Sequence, residues 1–167
     1  MKDAQYWIDK LDLSPHVEGG FFKETHRSAE TIDKIALPER FGDARSFYTA
    51  IYFLLRGDDF SAFHRIKQDE LWHFYLGDPL MVHIIGRQGN YSQIKLGRNL
   101  ENGEVFQAMV PHGSWFGANL QAPASFALVG CTVAPGFDFS DLEIAERDVL
   151  VDLYPDHRQI IDQLTRY

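Results

Sequence analysis

The spacing of apolar side chains changes twice along the chain, and each change marks a change of element. Over residues 3–13 the apolar side chains Tyr6, Trp7, Ile8 and Leu11 fall on one side of a helix, with Asp3 placed to cap it and Ser14-Pro15 to end it. The Gly19-Gly20 pair marks a turn or a close backbone approach, and the residues after it read as an extended strand. Residues 29–45 show no period and read as a surface loop. From Phe47 onward the pattern becomes one of short runs, rich in aromatic and β-branched residues and divided by turn signals. Strands are predicted over residues 46–55, 60–66, 70–76, 80–85, 91–96, 104–110, 114–119 and 125–134. Gly57-Asp58-Asp59, Lys67-Gln68-Asp69, Gly77-Asp78-Pro79, residues 86–90 and Pro111-His112-Gly113 supply the turns. Helical periods return over 145–153 and 155–164, the second opening on Pro155. The prediction is a mainly β chain, a sandwich or barrel over about residues 46–134, flanked by a short N-terminal helix and C-terminal helices. No linker, internal repeat or low-complexity segment divides it, so residues 1–167 are expected to form one domain.

Alternation along a strand then sorts the side chains that carry chemistry. His64 and Ile66 share one face of their strand, and Glu70, Trp72 and Phe74 share one face of the next. A hairpin between them brings His64 and Glu70 to one cavity wall. An imidazole and a carboxylate in an apolar barrel serve to bind a metal, to move a proton or to hydrogen-bond a ligand. His73 and Tyr75 have the opposite parity and should face a covering layer, solvent or a subunit interface. The strand over 46–55 is apolar on both faces, with Tyr48, Ala50, Tyr52 and Leu54 on one and Phe47, Thr49, Ile51, Phe53 and Leu55 on the other. One interior buries one face. The second calls for another layer, either a partner copy in a homodimer or the N-terminal helix.

Composition removes several classes of partner. The 16 Lys and Arg against 24 Asp and Glu leave a formal charge of −8, which argues against nucleic acid or an anionic membrane as the main partner. The aromatic content of 14% suits strands around a wide pocket and a small-molecule ligand. The one cysteine, Cys131, cannot form an intrachain disulfide; it reads as a small buried strand residue, and a reducing compartment fits. The N-terminus carries charges throughout and lacks the apolar core of a signal peptide, so a cytoplasmic location is expected.

The motif around His64 resembles the cupin superfamily, whose first motif has a His, a second His two residues on, then a Glu and a Gly. His64, Glu70 and Gly77 fit, while Ile66 stands at the second His. Pro111 and Gly113 fit the second motif, but Phe116 stands where its His would be. A closer resemblance, to cupin family 5, rests on Glu18-Gly19-Gly20-Phe21, Phe63-His64-Arg65, Asp69-Glu70-Leu71-Trp72-His73-Phe74, Leu128-Val129-Gly130-Cys131 and Ala134-Pro135-Gly136-Phe137. It implies a jelly-roll cupin barrel, a double-stranded antiparallel β-helix, that dimerises. Relatives of similar build include sugar-nucleotide epimerases that work without metal, using a His base held by a carboxylate and a Tyr acid.

By that resemblance His64 matches the base. Glu70 and Tyr52 are chemically suitable for the carboxylate and the acid. Trp72, Phe74 and Phe116 are candidate ligand contacts, as well as plausible core. Glu18 and Arg27 are candidates for closing the pocket mouth, against the plainer reading of a charged strand edge. With only His64 and Glu70 left of the usual ligands, no tightly held metal and no other cofactor is expected; a divalent ion held weakly by that pair with water is compatible with the chemistry. Three functions compete: a metal-independent isomerase or epimerase acting on a sugar or nucleotide-linked metabolite, a non-catalytic metabolite-binding or sensing protein, and a metal-dependent enzyme with an incomplete ligand set.

Overall fold

Asp3 accepts a hydrogen bond from the backbone N–H of Tyr6 (2.9 Å) and so starts α1 (Ala4–Leu11). The chain then runs through β1 (Ser14–Pro15), β2 (Phe21–Arg27), β3 (Thr31–Ile32), β4 (Arg45–Ser46), β5 (Thr49–Arg56), β6 (Phe60–Arg65) and β7 (Asp69–Gly77). It continues through β8 (Leu80–Ile85), β9 (Tyr91–Leu96), β10 (Gln107–Val110), β11 (Trp115–Leu120), β12 (Phe126–Ala134) and β13 (Glu143–Ile144), and ends in α2 (Arg147–Leu153) and α3 (Arg158–Gln163). This computed structural model describes residues 2–57 and 59–167; Asp58, expected in the turn after β5, lies outside the described residues.

The strands form two facing antiparallel sheets, in the orders β1-β2-β5-β12-β7-β10 and β13-β6-β11-β8-β9. The expected mainly β barrel with terminal helices is therefore present, but its limits are wider than residues 46–134. β1 and β2 extend the first sheet beyond β5, and β13 extends the second beyond β6. The segment over 29–45 is also more than a surface loop. It carries the β3–β4 ribbon, buries Phe41, and seats Arg45 in a buried ion pair with Asp141 (2.6 Å).

Each sheet is apolar on both faces, and each is covered on its inner face by the other sheet and on part of its outer face by helical segments. Between the sheets lie Phe53, Leu55, Trp72, Phe74, Val82 and Phe116, among others. The outer face of the first sheet places Leu54 and Leu128 under Ile8 and Leu13, at α1 and just after it. The outer face of the second places Phe63, Ile85 and Trp115 under Leu150, Val151, Ile161 and Leu164 of the C-terminal segment. The double-sided apolar pattern of β5 is thus satisfied in part within one chain. Truncating Leu54 to Ala is expected to cost about 2–5 kcal/mol, since the side chain is fully buried between layers. The same change at Ile35, which is 95% exposed, is expected to stay within about 0.5 kcal/mol. Urea denaturation of both variants checks the contrast, and equal effects would contradict this layering.

Candidate active site

One end of the interior is packed with Phe53, Leu55, Trp72, Phe74 and Phe116. At the other end the inward positions carry smaller or polar residues, including Thr49, Ile51, Glu70, Cys131 and Val133. The space they leave is a cavity that encloses about 610 Å³ when the open solvent at its mouth is counted in. Phe22, Phe137 and Phe139 contribute aromatic wall, while His16, Glu18 and His64 join Glu70 as its buried ionisable groups.

The connection between β1 and β2 delivers His16 and Glu18. It is closed by backbone bonds from His16 N–H to the Gly20 carbonyl (2.9 Å) and from Gly19 N–H to the His16 carbonyl (3.1 Å). It is pressed onto β6, where the Ala62 N–H donates to the Glu18 carbonyl (2.7 Å). Gly19 has φ +111°, and a Cβ there would lie 2.1 Å from the Phe60 carbonyl oxygen. Gly20 has φ +71° and would meet the Leu54 oxygen at 2.8 Å. Both positions need glycine for conformation and for approach.

The Nε2–H of His64 donates to Glu18 Oε2 (3.0 Å) and its Nδ1–H to the Ala62 carbonyl (2.7 Å), so both ring nitrogens are used by the protein. Burial disfavours the charged imidazolium, but the charge and hydrogen bond of Glu18, helped by Glu70, outweigh it and hold the His64 pKa above its ordinary value. Glu18 is also buried, and burial disfavours its charge, but the charge and hydrogen bond of His64 outweigh this and hold it below the usual carboxylate range. Glu70 is the reverse case. Burial, with the neighbouring Glu18 charge, pushes it up to about 7 against the pull of His64, and the Cys131 thiol is its hydrogen-bond partner. That thiol is itself pushed up by burial and by Glu70. His16 accepts the Glu18 backbone N–H at Nδ1 (3.4 Å), which leaves its proton on Nε2. Burial lowers its pKa, and the His64 charge adds to this against Glu18, so the ring is neutral.

A bulge shapes the wall nearest β2. Glu24 pairs with Ile51 and His26 with Ala50, leaving Thr25 as the extra residue. The slip returns Arg27 to the face of Glu24, where it donates through Nε and Nη2 to the carboxylate (3.0 and 2.7 Å) and through Nη1 to the Phe137 carbonyl (3.0 Å).

Among the residues singled out from sequence, His64, Glu70, Glu18 and Arg27 line this one cavity. Glu18 is not at the mouth, as expected, but buried against His64, because the glycine turn folds inward. Tyr52 is a correction: it lies on the outer face of β5, in the layer with Leu54 and α1, since Thr49, Ile51 and Phe53 take the inward positions. Trp72, Phe74 and Phe116 are corrected as direct ligand contacts. They fill the packed end, with Phe116 set against the His64 ring (4.1 Å between centroids). His83 is remote from His64, bonding Tyr91 (2.7 Å) and Asn119 (3.0 Å) on the other face of β8. His73 bonds Thr132 and Gln107 outside the barrel. Among the described residues no cluster of three or more His, Cys, Asp or Glu is placed to hold a metal. No helix there is long and apolar enough to cross a membrane. Sequence reading missed His16, Phe139 and Leu142 as cavity residues. The only local signal for His16 was its place two residues before Glu18.

Comparison with known proteins agrees with this architecture. The family described as Cupin_5, cupin superfamily (DUF985), matches residues 5–145. An uncharacterized protein of Saccharomyces cerevisiae, YML079W, is 32% identical over 147 residues, 82% of this chain and 72% of its own length. A solved structure of protein SO0799 from Shewanella oneidensis is 38% identical, with a TM-score of 0.89 over 99% of both chains. A hypothetical protein from Leishmania major is also 38% identical, with a TM-score of 0.90 over 99% of this chain and 100% of its own.

The raised Glu70 pKa has a consequence for stability. The folded state keeps this proton up to about pH 7, whereas the group's ordinary value is 4.5. Between these values the folded state binds more protons than the unfolded one, so this group's contribution falls as pH rises. Its size is about 3 kcal/mol at roughly 1.4 kcal/mol per pKa unit. The expected outcome is that Glu70→Gln gains on the parent protein by about that amount between pH 4.5 and pH 7. Urea denaturation at stepped pH measures it; a difference that stays constant with pH would contradict the assignment.

Proposed function

The chain belongs to the Cupin_5 family (DUF985) of the cupin superfamily, and we propose that its cavity is a metal-independent proton-transfer site of the isomerase or epimerase kind, acting on a sugar or nucleotide-linked metabolite. The observation that carries this reading is Glu70, a buried carboxyl on the cavity wall that changes charge at about pH 7. A general base works best when its pKa lies near the working pH and it can reach the substrate. Among the described residues the Cys131 thiol is the hydrogen-bond partner of Glu70, so its carboxyl is not locked into an ion pair. His64 takes a different part from the one its motif position implies. With both nitrogens engaged, it keeps Glu18 ionised and sets a positive charge beside Glu70.

The test begins with the small molecules retained by the purified protein. In D2O the wild type is expected to place solvent deuterium on a carbon of a retained metabolite, at a rate that rises with pH through about 7 as Glu70 loses its proton. Glu70→Gln should still retain the metabolite and slow the exchange by about 10²–10⁴-fold. A metabolite that is retained but unchanged by the wild type would make the protein a binding or sensing module instead.

We further propose that two copies pair through the outer face of the first sheet, beyond the part α1 covers. Tyr75 on that face is 50% exposed, packs edge-on to Tyr52 of β5 (6.0 Å) and lies over Gly130. Sedimentation velocity at micromolar concentration should show a dimer, and Tyr75→Glu should shift it to monomer. A wild-type monomer would reject the pairing.

A further inference from the structure

A carboxylate that removes a carbon-bound proton needs something to hold the electrons left behind. When the carbon adjoins a carbonyl, they pass to the carbonyl oxygen, and a fixed N–H or O–H donor at that oxygen makes the step feasible. Most donors on the cavity wall are already committed. Both N–H groups of His64 bond the protein, and Arg27 holds Glu24 and the Phe137 carbonyl. His16 differs. Its Nδ1 accepts the Glu18 backbone N–H, its proton is therefore on Nε2, and among the described residues its polar contacts are all made by Nδ1. The ring lines the cavity. It is held edge-on against Phe22 (4.5 Å) and stacked near Phe139 (6.3 Å). The Glu18–His64 pair is close to both remaining groups: His16 Nδ1 is 3.6 Å from Glu18 Oε2, and Glu70 feels the charges of both members. The cavity thus presents one exchangeable carboxyl and one neutral imidazole N–H, the combination that suits proton transfer next to a carbonyl.

Resting on the proton-transfer reading above, we infer that the substrate is a small α-hydroxy carbonyl compound, whose carbonyl oxygen is bound by the Nε2–H of His16 while Glu70 moves a proton between the two adjacent carbons. The Glu70 carboxylate takes the proton from the carbon bearing the hydroxyl. That C–H electron pair becomes the C=C bond of an enediolate, and the carbonyl π pair moves to the oxygen facing His16. His16 gives its Nε2 proton to that oxygen and recovers one from the neighbouring hydroxyl. The second oxygen then forms the new carbonyl, and the C=C pair takes the proton back from the Glu70 carboxyl onto the carbon that bore the original carbonyl. Atoms and charge balance without a redox partner. A single base serves one face of the substrate, so the step interconverts an α-hydroxy aldehyde and an α-hydroxy ketone.

The experiment follows D-glyceraldehyde, dihydroxyacetone, D-glucose and D-fructose by proton NMR in D2O with the intact protein. At least one is expected to show deuterium incorporation next to the carbonyl together with aldehyde–ketone interconversion, both lost in Glu70→Gln. His16→Ala should lower kcat about 100-fold with KM changed less than about 3-fold, the size expected for removal of one such donor. His16→Gln, which restores a neutral N–H, should recover part of that loss and guards against an alanine variant that fails to fold. Glu70-dependent exchange that neither His16 variant alters would overturn the inference and leave the proton-transfer reading standing. No exchange with any of the four compounds would also overturn it. The broader reading falls separately, if retained metabolites show no Glu70-dependent exchange either.

Discussion

Burial around the charge pair of Glu18 and His64, together with its two charges, sets the protonation of the neighbouring groups. Two ions removed from water are tolerable only when each finds the other with good geometry, and losing one partner of such a pair typically costs about 3–5 kcal/mol. Here the 3.0 Å contact fixes a negative and a positive charge at the cavity wall. Burial lowers the His16 pKa, and the His64 charge adds to this against the pull of Glu18, so His16 stays neutral. Burial likewise keeps the proton on Glu70 to about pH 7, with the Glu18 charge adding to it against the pull of His64. Two inert charges thereby leave two responsive groups.

The backbone is arranged to make that pair inevitable. Ala62 alone fixes both halves, giving its N–H to the Glu18 carbonyl and accepting the His64 Nδ1–H on its own carbonyl. The turn that brings Glu18 there is anchored by Asp59, which accepts from Gly20 N–H (2.8 Å) and from Arg166 (2.6 Å). A glycine at 19 lets the chain lie against the Phe60 carbonyl, where any side chain would hold Glu18 away.

The aromatic wall over the cavity is fixed by a separate polar network. Asp141 accepts from Arg45 (2.7 and 2.6 Å) and from Gln68 (2.7 Å), all buried, and Gly136 N–H donates to the Ser46 carbonyl (2.7 Å). Thr49 accepts the Phe137 N–H (3.0 Å), and Arg27 holds the Phe137 carbonyl. The segment carrying Phe137 and Phe139 is tied to β2, to β5, to the turn between β6 and β7, and to the β3–β4 ribbon. A wall held this way presents its rings in one place and confers shape on the ligand space without movement.

Alternation along the strands was enough to place His64 with Ile66 and Glu70 with Trp72 and Phe74, because a period of two is a local property of extended backbone. The capped first helix and most strand limits were legible because caps and turns are local too, and the motif positions of His64 and Glu70 were legible through the resemblance to cupins. Alternation also divided β5 into the face of Tyr52 and the face of Thr49 and Phe53, but which face looks inward depends on what packs against each. Only tertiary structure could put Tyr52 under α1 and leave Trp72 and Phe74 as packing at the cavity's closed end. The bulge at Thr25 changed parity in mid-strand and carried Arg27 back beside Glu24, a slip with no sequence signature of its own. His16 and Glu18 lie in a turn, where no period applies, and their positions are set by contacts with β6, more than forty residues further along the chain. Local periodicity therefore determined the barrel and half of its buried charge. The partner of that charge, and with it the protonation of the whole site, was decided by long-range packing of a glycine turn.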